Sequence, residues 1–516
     1  MTDEEMDEPS NRKRMKIAYV HDPPNHAEIA TRWRNPAFLS NRGFTDLVVA
    51  DQLFGCLALV MENAQPSEVS QRISDLDERI KDAMESGLDT WVMEDLFTLP
   101  TEIAKSSDGC PHDDETWRSI NINLHALFNR FPDLKGIIFR FGEAFETDSW
   151  ASRLNPFNCQ CEVCEKLGKI GALQRIISEL EEVVCEQLGM YCILRMWDLG
   201  DDGFHADSEQ QSAGLTTWND NTRLVVSVKH TATDYWRHQP WNNSIELDGP
   251  PRLIEFQCER EYEFLGLVPN WLGHSFSEGF PEVDETNTAG LGNSTPSNWA
   301  GSYIIPRGGG WSADHASDDF WSEMNAYAVI ALTDNPNGDP DEILDQFLEQ
   351  SGFDEQESRF SLATLIKMSS DLVLHLRYLQ TFQDIAKQIW MPSHNWFRDD
   401  TFVPGACAHI TNLVTKAGLA NNLRADRAFA SIIARTQLTR AEALFEGGTF
   451  TKHPKAEFIL NSYRFAVKFA TLSESIWNDL LNTASISPTP LERGDAEHVI
   501  LTNLEHTPLK PLRCLD

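Results

Sequence analysis

Three carboxylates in this chain draw attention by where they fall. Glu143, Asp234 and Glu261 each follow, within a few residues, a short apolar run rich in β-branched side chains. Cations are interleaved with them, namely Arg140, Arg195, Lys229 and Arg307. Hydrolysis of a glycosidic bond needs one carboxylic acid to protonate the leaving oxygen and one carboxylate to activate water or attack the sugar. Trp197, His230, Tyr262 and Trp311 lie close by in sequence and could stack on or hydrogen-bond to a sugar ring. A guanidinium holds a carboxylate through two parallel hydrogen bonds, so the interleaved cations favour an acidic oligosaccharide as substrate. Taken singly, each of these residues reads more readily as a strand-end ion pair that stabilises a rim. The recurrence of the pattern at successive runs is what favours chemistry.

Such groups act together only if the fold gathers them. Eight apolar runs recur: Lys16–His21, Thr45–Ala50, Asp89–Met93, Gly136–Phe141, Met190–Met196, Arg223–Val228, Arg252–Gln257 and Ser302–Pro306. Amphipathic helical patterns separate several of them. Ile73, Leu76, Ile80 and Met84 are spaced for one helix face, and so are Leu173, Ile176, Ile177, Leu180, Val183 and Val184. Strands alternating with helices imply parallel pairing, and eight of them fit a closed barrel, with an open doubly wound sheet as the alternative. In a barrel the functional groups sit at the C-terminal strand ends, where runs four to eight place the residues named above. Beyond about residue 320 the strand runs stop and long helical patterns such as Phe360–Phe382 and Arg424–Phe445 take over. The expected class is α/β: a disordered tail over 1–15, a (β/α)8 TIM barrel over 16–325 and an α-helical C-terminal domain over 326–516.

Several segments resemble a known family. Val228–Pro240 (VKHTATDYWRHQP) is similar to the Lys-Asn-Gly-Pro-x-Asp-Phe-Gln segment of glycoside hydrolase family 67, the α-glucuronidases, with the same Lys229-to-Asp234 spacing. Leu253–Tyr262 (LIEFQCEREY) resembles that family's Glu-Phe-Gln-x-x-Gln-Glu-Tyr and puts Glu261 on its second carboxylate. Asn325–Pro336 (NAYAVIALTDNP) resembles the stretch that opens the family's helical domain. Gly136–Glu143 and Arg195 fall where the family has its general acid and a substrate-binding Arg. Motif detail covers roughly residues 130–345. The resemblance implies an inverting, exo-acting α-glucuronidase in which Glu143 is the acid and Asp234 with Glu261 holds the attacking water. The sequence departs from the pattern in three ways. It has no N-terminal β-rich domain, the family's Lys near the acid is replaced by the Phe139-Arg140 pair, and Lys-Asn-Gly-Pro has become Lys-His-Thr-Ala at 229–232.

Composition excludes other classes. A net charge of −36, from 79 acidic and 43 basic residues, repels phosphates and argues against a nucleic-acid partner. No run of apolar residues is long enough to span a membrane, and the first residues contain no apolar signal segment, so a cytoplasmic location is expected. Ten cysteines are then read as reduced thiols. Cys159, Cys161 and Cys164 form a C-x-C-x2-C cluster, but a closed zinc site needs four ligands. Cys110 or a His could be the fourth, and the sequence does not choose between a metal and thiols that merely pack a loop. Asp198–Glu209 nearly fits a calcium loop, but Gly200 stands where Asp or Asn is wanted. No cofactor is expected. The oligomeric state is open, a homodimer being one option.

Overall fold

The computed structural model describes residues 13–21, 30–51, 66–100, 109–141, 145–146, 150–152, 157, 159–197, 204–220, 223–232, 234–235, 237, 239–282, 289–308, 317–386 and 402–506. Glu143, Trp311, residues 1–12 of the expected tail and the first half of the near-calcium loop lie outside them.

Each of the eight apolar runs is a strand: β1 (Met15–His21), β2 (Asp46–Ala50), β3 (Asp89–Asp95), β4 (Gly136–Arg140), β5 (Tyr191–Arg195), β6 (Leu224–Lys229), β7 (Arg252–Gln257) and β8 (Trp299–Gly308). They pair in parallel, each with its sequence neighbour, and β8 closes on β1 to complete the barrel, which rules out the open sheet. The middles of the runs are mostly apolar because both strand faces are buried, and period-two alternation sends successive side chains to two different cores. Ile17, Tyr19, Trp91, Met93, Ile138, Ile193, Val225, Leu253, Tyr303 and Ile305 fill the interior. Val92, Ile137, Phe139, Leu194, Val226, Ile254 and Phe256 face the surrounding helices. Closure depends on Gly308. Its φ is +102°, and a Cβ there would lie 1.9 Å from the carbonyl oxygen of His21.

The helices follow their apolar spacing. Asp114–Arg130 buries Trp117, Ile120, Leu124, Leu127 and Phe128, and the Asp113 side chain caps it by accepting from the Thr116 amide. Glu162–Leu180 buries Leu173, Ile176, Ile177 and Leu180, then continues as a π-helix to Gln187. Phe320–Asp334 runs across position 325, where the expected helical domain begins, and it is bound to the barrel: Lys16 pairs with Asp334, and Ser302 Oγ lies 2.7 Å from Thr333 Oγ1. Beyond it the named elements among the described residues are helices, the longest being Ala420–Phe445 and Ala456–Ile486. The stretch Phe360–Phe382, which reads as one helical pattern, is divided among three helices, 356–367, 369–377 and 380–386. Tyr378 turns extended between the last two and sends its hydroxyl into the barrel loops. Among the described residues no helix is long and apolar enough to cross a membrane.

One small sheet was not legible in the sequence. Thr98–Pro100, after β3, pairs antiparallel with Trp150–Ser152, which pairs in turn with Phe145–Glu146, so the exits of β3 and β4 are joined.

Candidate active site

Alternation continues past the apolar core to the C-terminal strand ends, and the side chains it turns inward there are charged. Arg195 at the end of β5 meets Glu255 of β7 as a bidentate pair, Nε to Oε1 2.9 Å and Nη2 to Oε2 2.6 Å, both groups buried. Ser227 Oγ and Tyr235 Oη also donate to this carboxylate, at 2.8 and 3.1 Å. Burial alone would raise the Glu255 carboxyl, but the Arg195 charge and these bonds outweigh it and hold the group at about 2.

Lys229, at the end of β6, donates to Asp234 Oδ1. The Tyr235 amide donates to the same oxygen at 2.9 Å, and the Tyr262 hydroxyl donates to Oδ2 at 2.7 Å. Burial opposes ionisation of Asp234, yet the Lys229 ammonium and the two other donors place it below the usual carboxylate range. Lys229 also lies 3.5 Å above the Trp197 ring and 4.6 Å above that of Tyr235.

Glu261 reaches the same place from the β7 exit. Its amide donates to Gln257 Oε1 at 3.0 Å, and its carboxylate acts on the Tyr262 hydroxyl that donates to Asp234. Burial and these two carboxylates push the Tyr262 hydroxyl well above its ordinary value, so it stays a donor. The loop that carries them is strained. Arg260 (φ +58°), Phe264 (+74°) and Leu265 (+48°) are the positive-φ residues other than glycine among the described residues, and they bracket Glu261 and Tyr262.

Such a loop persists only if its surroundings hold it. Glu263 pairs with Arg260 inside the protein, both fully buried, and accepts from Asn270 Nδ2 (2.7 Å) and the Tyr378 hydroxyl (2.8 Å). Arg377 Nε donates to the Tyr262 carbonyl at 2.8 Å, and Phe264 meets Phe469 edge to face. The C-terminal helices therefore set the geometry of the loop that bears Glu261.

The remaining expected residues are distributed unevenly. Arg140 pairs with Asp95 at the end of β3. Arg307 stands 3.7 Å from Glu259, and its buried Nε has no acceptor among the described residues. His230 is not brought to this group. It is 1% exposed, stacks on Phe256 of the outer core at 4.9 Å, and lies among Trp241, Phe276 and Phe280. It follows Lys229 directly, so alternation turns it to the helix side, and burial followed by the Arg260 charge lowers its pKa to about 3. The expected carbohydrate contact at Trp197 is with a ring already beneath Lys229.

Three groups escaped the sequence reading because it considered only the exits of runs four to eight. They are His21 at the end of β1, Asp51 just after β2 and Asp95 at the end of β3. Burial and then the charges of Arg140, Arg195 and Lys229 hold His21 at about 3, and the Tyr19 hydroxyl donates to Asp51 Oδ2 at 3.3 Å. The signal was present, since each is a polar residue at the C-terminal end of an apolar run.

A barrel mouth with paired buried ions and two carboxylates acting on one hydroxyl can position water and stabilise positive charge. No protein-family model matches the chain, and no curated protein matches it. Solved structures do match. A GH138 enzyme targeting pectin rhamnogalacturonan II aligns at TM-score 0.52 and 11% identity over 96% of this chain and 61% of that one. A mutant O-GlcNAc hydrolase of Thermobaculum terrenum aligns at 0.41 and 10%, over 98% and 99% of the two chains. CpGH84B aligns at 0.43 and 8%, over 95% and 73%. The chain thus spans 61% of the length of the first of these structures, and what it shares with that structure is the fold, a (β/α)8 barrel continued by helices.

Proposed function

We propose that this chain is a glycoside hydrolase, and that it is an inverting, α-glucuronidase-like enzyme acting on uronic-acid oligosaccharides. The observation that carries the reading is the convergence of Asp234 and Glu261 on the Tyr262 hydroxyl at the barrel mouth. The match in fold to an enzyme that targets pectin rhamnogalacturonan II agrees with it.

The two carboxylates are not equivalent. Asp234 accepts from Lys229, the Tyr235 amide and Tyr262, and its depressed pKa makes it a weak base. Glu261 is therefore the base that takes a proton from the attacking water, with Asp234 and Tyr262 positioning it. Glu143 donates a proton to the leaving oxygen as the bond to the anomeric carbon breaks and water adds from the opposite face. Arg195, Lys229 and Arg140 are committed to Glu255, Asp234 and Asp95, and Arg307, whose contact with Glu259 is the longest of these pairs at 3.7 Å, is left to read the sugar carboxylate through Nε. The same commitment of three cations favours, as a second reading, a neutral sugar in the same site.

Aryl and oligosaccharide uronides, with neutral hexosides alongside, separate these readings. Glu143→Gln should lower turnover of natural oligosaccharides by about 10²–10⁴-fold while sparing substrates with activated leaving groups. Glu261→Gln should lower both. Arg307→Gln should cost about 10–150-fold on uronides alone, the worth of a charge-assisted hydrogen bond. Retention of anomeric configuration in the first-formed sugar overturns the inverting assignment, and preferential cleavage of neutral hexosides overturns the uronide one.

A further inference from the structure

Cys110 lies in the turn before helix Asp114–Arg130, and Cys159, Cys161 and Cys164 lie at the start of helix Glu162–Leu180. The fold brings all four together, with their sulfurs within 4.8 Å of one another. Cys110 Sγ is 3.6 Å from both Cys161 Sγ and Cys164 Sγ. A disulfide would need about 2.05 Å. Four sulfurs around a tetrahedral zinc with bonds of about 2.3 Å stand about 3.8 Å apart, close to the two 3.6 Å separations and inside the 4.8 Å that bounds all four.

The surroundings fit thiolate ligands. The Cys164 amide donates to Cys161 Sγ and the His112 amide to Cys110 Sγ, each at 3.4 Å, and amide donors of this kind orient and stabilise ligating sulfur. Trp117 Nε1 donates to the Pro111 carbonyl at 2.8 Å and braces the turn beside Cys110. Cys110 and Cys164 are buried and Cys159 and Cys161 partly exposed, so an ion can enter from one side. A multi-iron cluster would hold its four ligands farther apart.

We propose that Cys110, Cys159, Cys161 and Cys164 form a structural tetrathiolate site for a single zinc ion. Both helices start at the C-terminal face of the barrel, so the ion clips the β3 exit to the far end of the β4 exit. The small sheet of 98–100 and 150–152 already joins the same two segments. The chain between β4 and Cys159 is then anchored at both ends, and it carries Glu143. That last consequence rests on the proposed acid role, whereas zinc binding does not.

The test is elemental analysis of the full chain purified under reducing conditions without chelator. One zinc per chain is expected. Cobalt replacing it should give the intense visible absorption of tetrahedral tetrathiolate coordination. Stripping the metal with a mercurial and chelator should lower Tm and expose four further reactive thiols. Cys110→Ser and Cys161→Ser should lose at least ten-fold in zinc content, and Cys185→Ser, outside the cluster, should keep it. Zinc no higher than in buffer, iron in its place, or a disulfide among the four in protein handled without air overturns the proposal. Because the wild-type metal content answers first, the outcome stands even if a variant fails to fold. Zinc present with no glycosidase activity would sink the functional reading and leave this one intact.

Discussion

Replacing Lys229 by Met tests the centre of the site, because it removes a charge while keeping most of the stem. The ion pair it breaks is nearly dry, with side-chain exposures of 6% for Lys229 and 10% for Asp234. Removing one partner of a buried pair costs about 3–5 kcal/mol, chiefly because the other charge is stranded. Asp234 keeps its donors from Tyr262 and the Tyr235 amide, so about 3 kcal/mol is expected. The contacts of Lys229 with the Trp197 and Tyr235 rings add about 1 kcal/mol. In the double variant Lys229→Met/Asp234→Asn no charge is stranded, and only the ring term should remain. Denaturant unfolding at pH 7 should therefore show the double variant about 2–3 kcal/mol more stable than the single one. The pH dependence has a definite sign. In the wild type the folded Asp234 pKa lies below its unfolded value, so its contribution is complete near neutrality. In Lys229→Met the Lys229 charge that chiefly opposes burial is gone, only the Tyr262 and Tyr235 donors still favour ionisation, and the folded pKa is expected to rise above the unfolded one. That variant should then become more stable as pH falls from 7 toward 5, while the wild type does not. A single-variant cost below about 1 kcal/mol, or a double variant no better than the single, would refute the pairing argument.

Two further outcomes follow from the same network. Glu255 and Glu263 are each held at about 2 against an ordinary 4.5, a difference worth about 3 kcal/mol apiece. Their folded values are depressed, so this stability is full above about pH 4.5 and is lost as pH falls toward 2. Acid titration of the unfolding free energy should show that slope, and Glu263→Gln should flatten it. Tyr378→Phe removes the hydroxyl between Glu263 and the Arg237 amide at about 1–3 kcal/mol. Because it acts on the strained Glu261 loop, kcat should fall more than KM rises, and an unchanged kcat would show that the helical domain does not set that loop.

Much of this molecule was written locally. Eight short runs such as GIIFR and RLIEFQ are largely apolar on both faces before their polar ends, as buried parallel strands are, and their spacing left room for a helix between most of them. Period two then determined that Arg195, Lys229, Glu255 and Arg307 turn inward at the mouth, since strand pleat is a local property. It also determines that His230 turns the other way, although its neighbourhood in the chain suggested a substrate contact. What alternation does not contain is pairing. Arg195 could have met any of several carboxylates, and only the lateral order of β5, β6 and β7 brings it to Glu255 across Ser227. The strained turn at Arg260, Phe264 and Leu265 is likewise invisible in sequence. None of these residues prefers positive φ, and groups more than a hundred positions away hold them there, Arg377, Tyr378 and Phe469 among them. The fourth thiol shows the same division. C-x-C-x2-C was plain in the chain, but choosing Cys110 over a histidine required two helix starts to meet at one end of the barrel. Sequence sets what each residue can do and which way it faces, while long-range closure of the barrel decides which residues it faces, because that depends on distances the local chain does not encode.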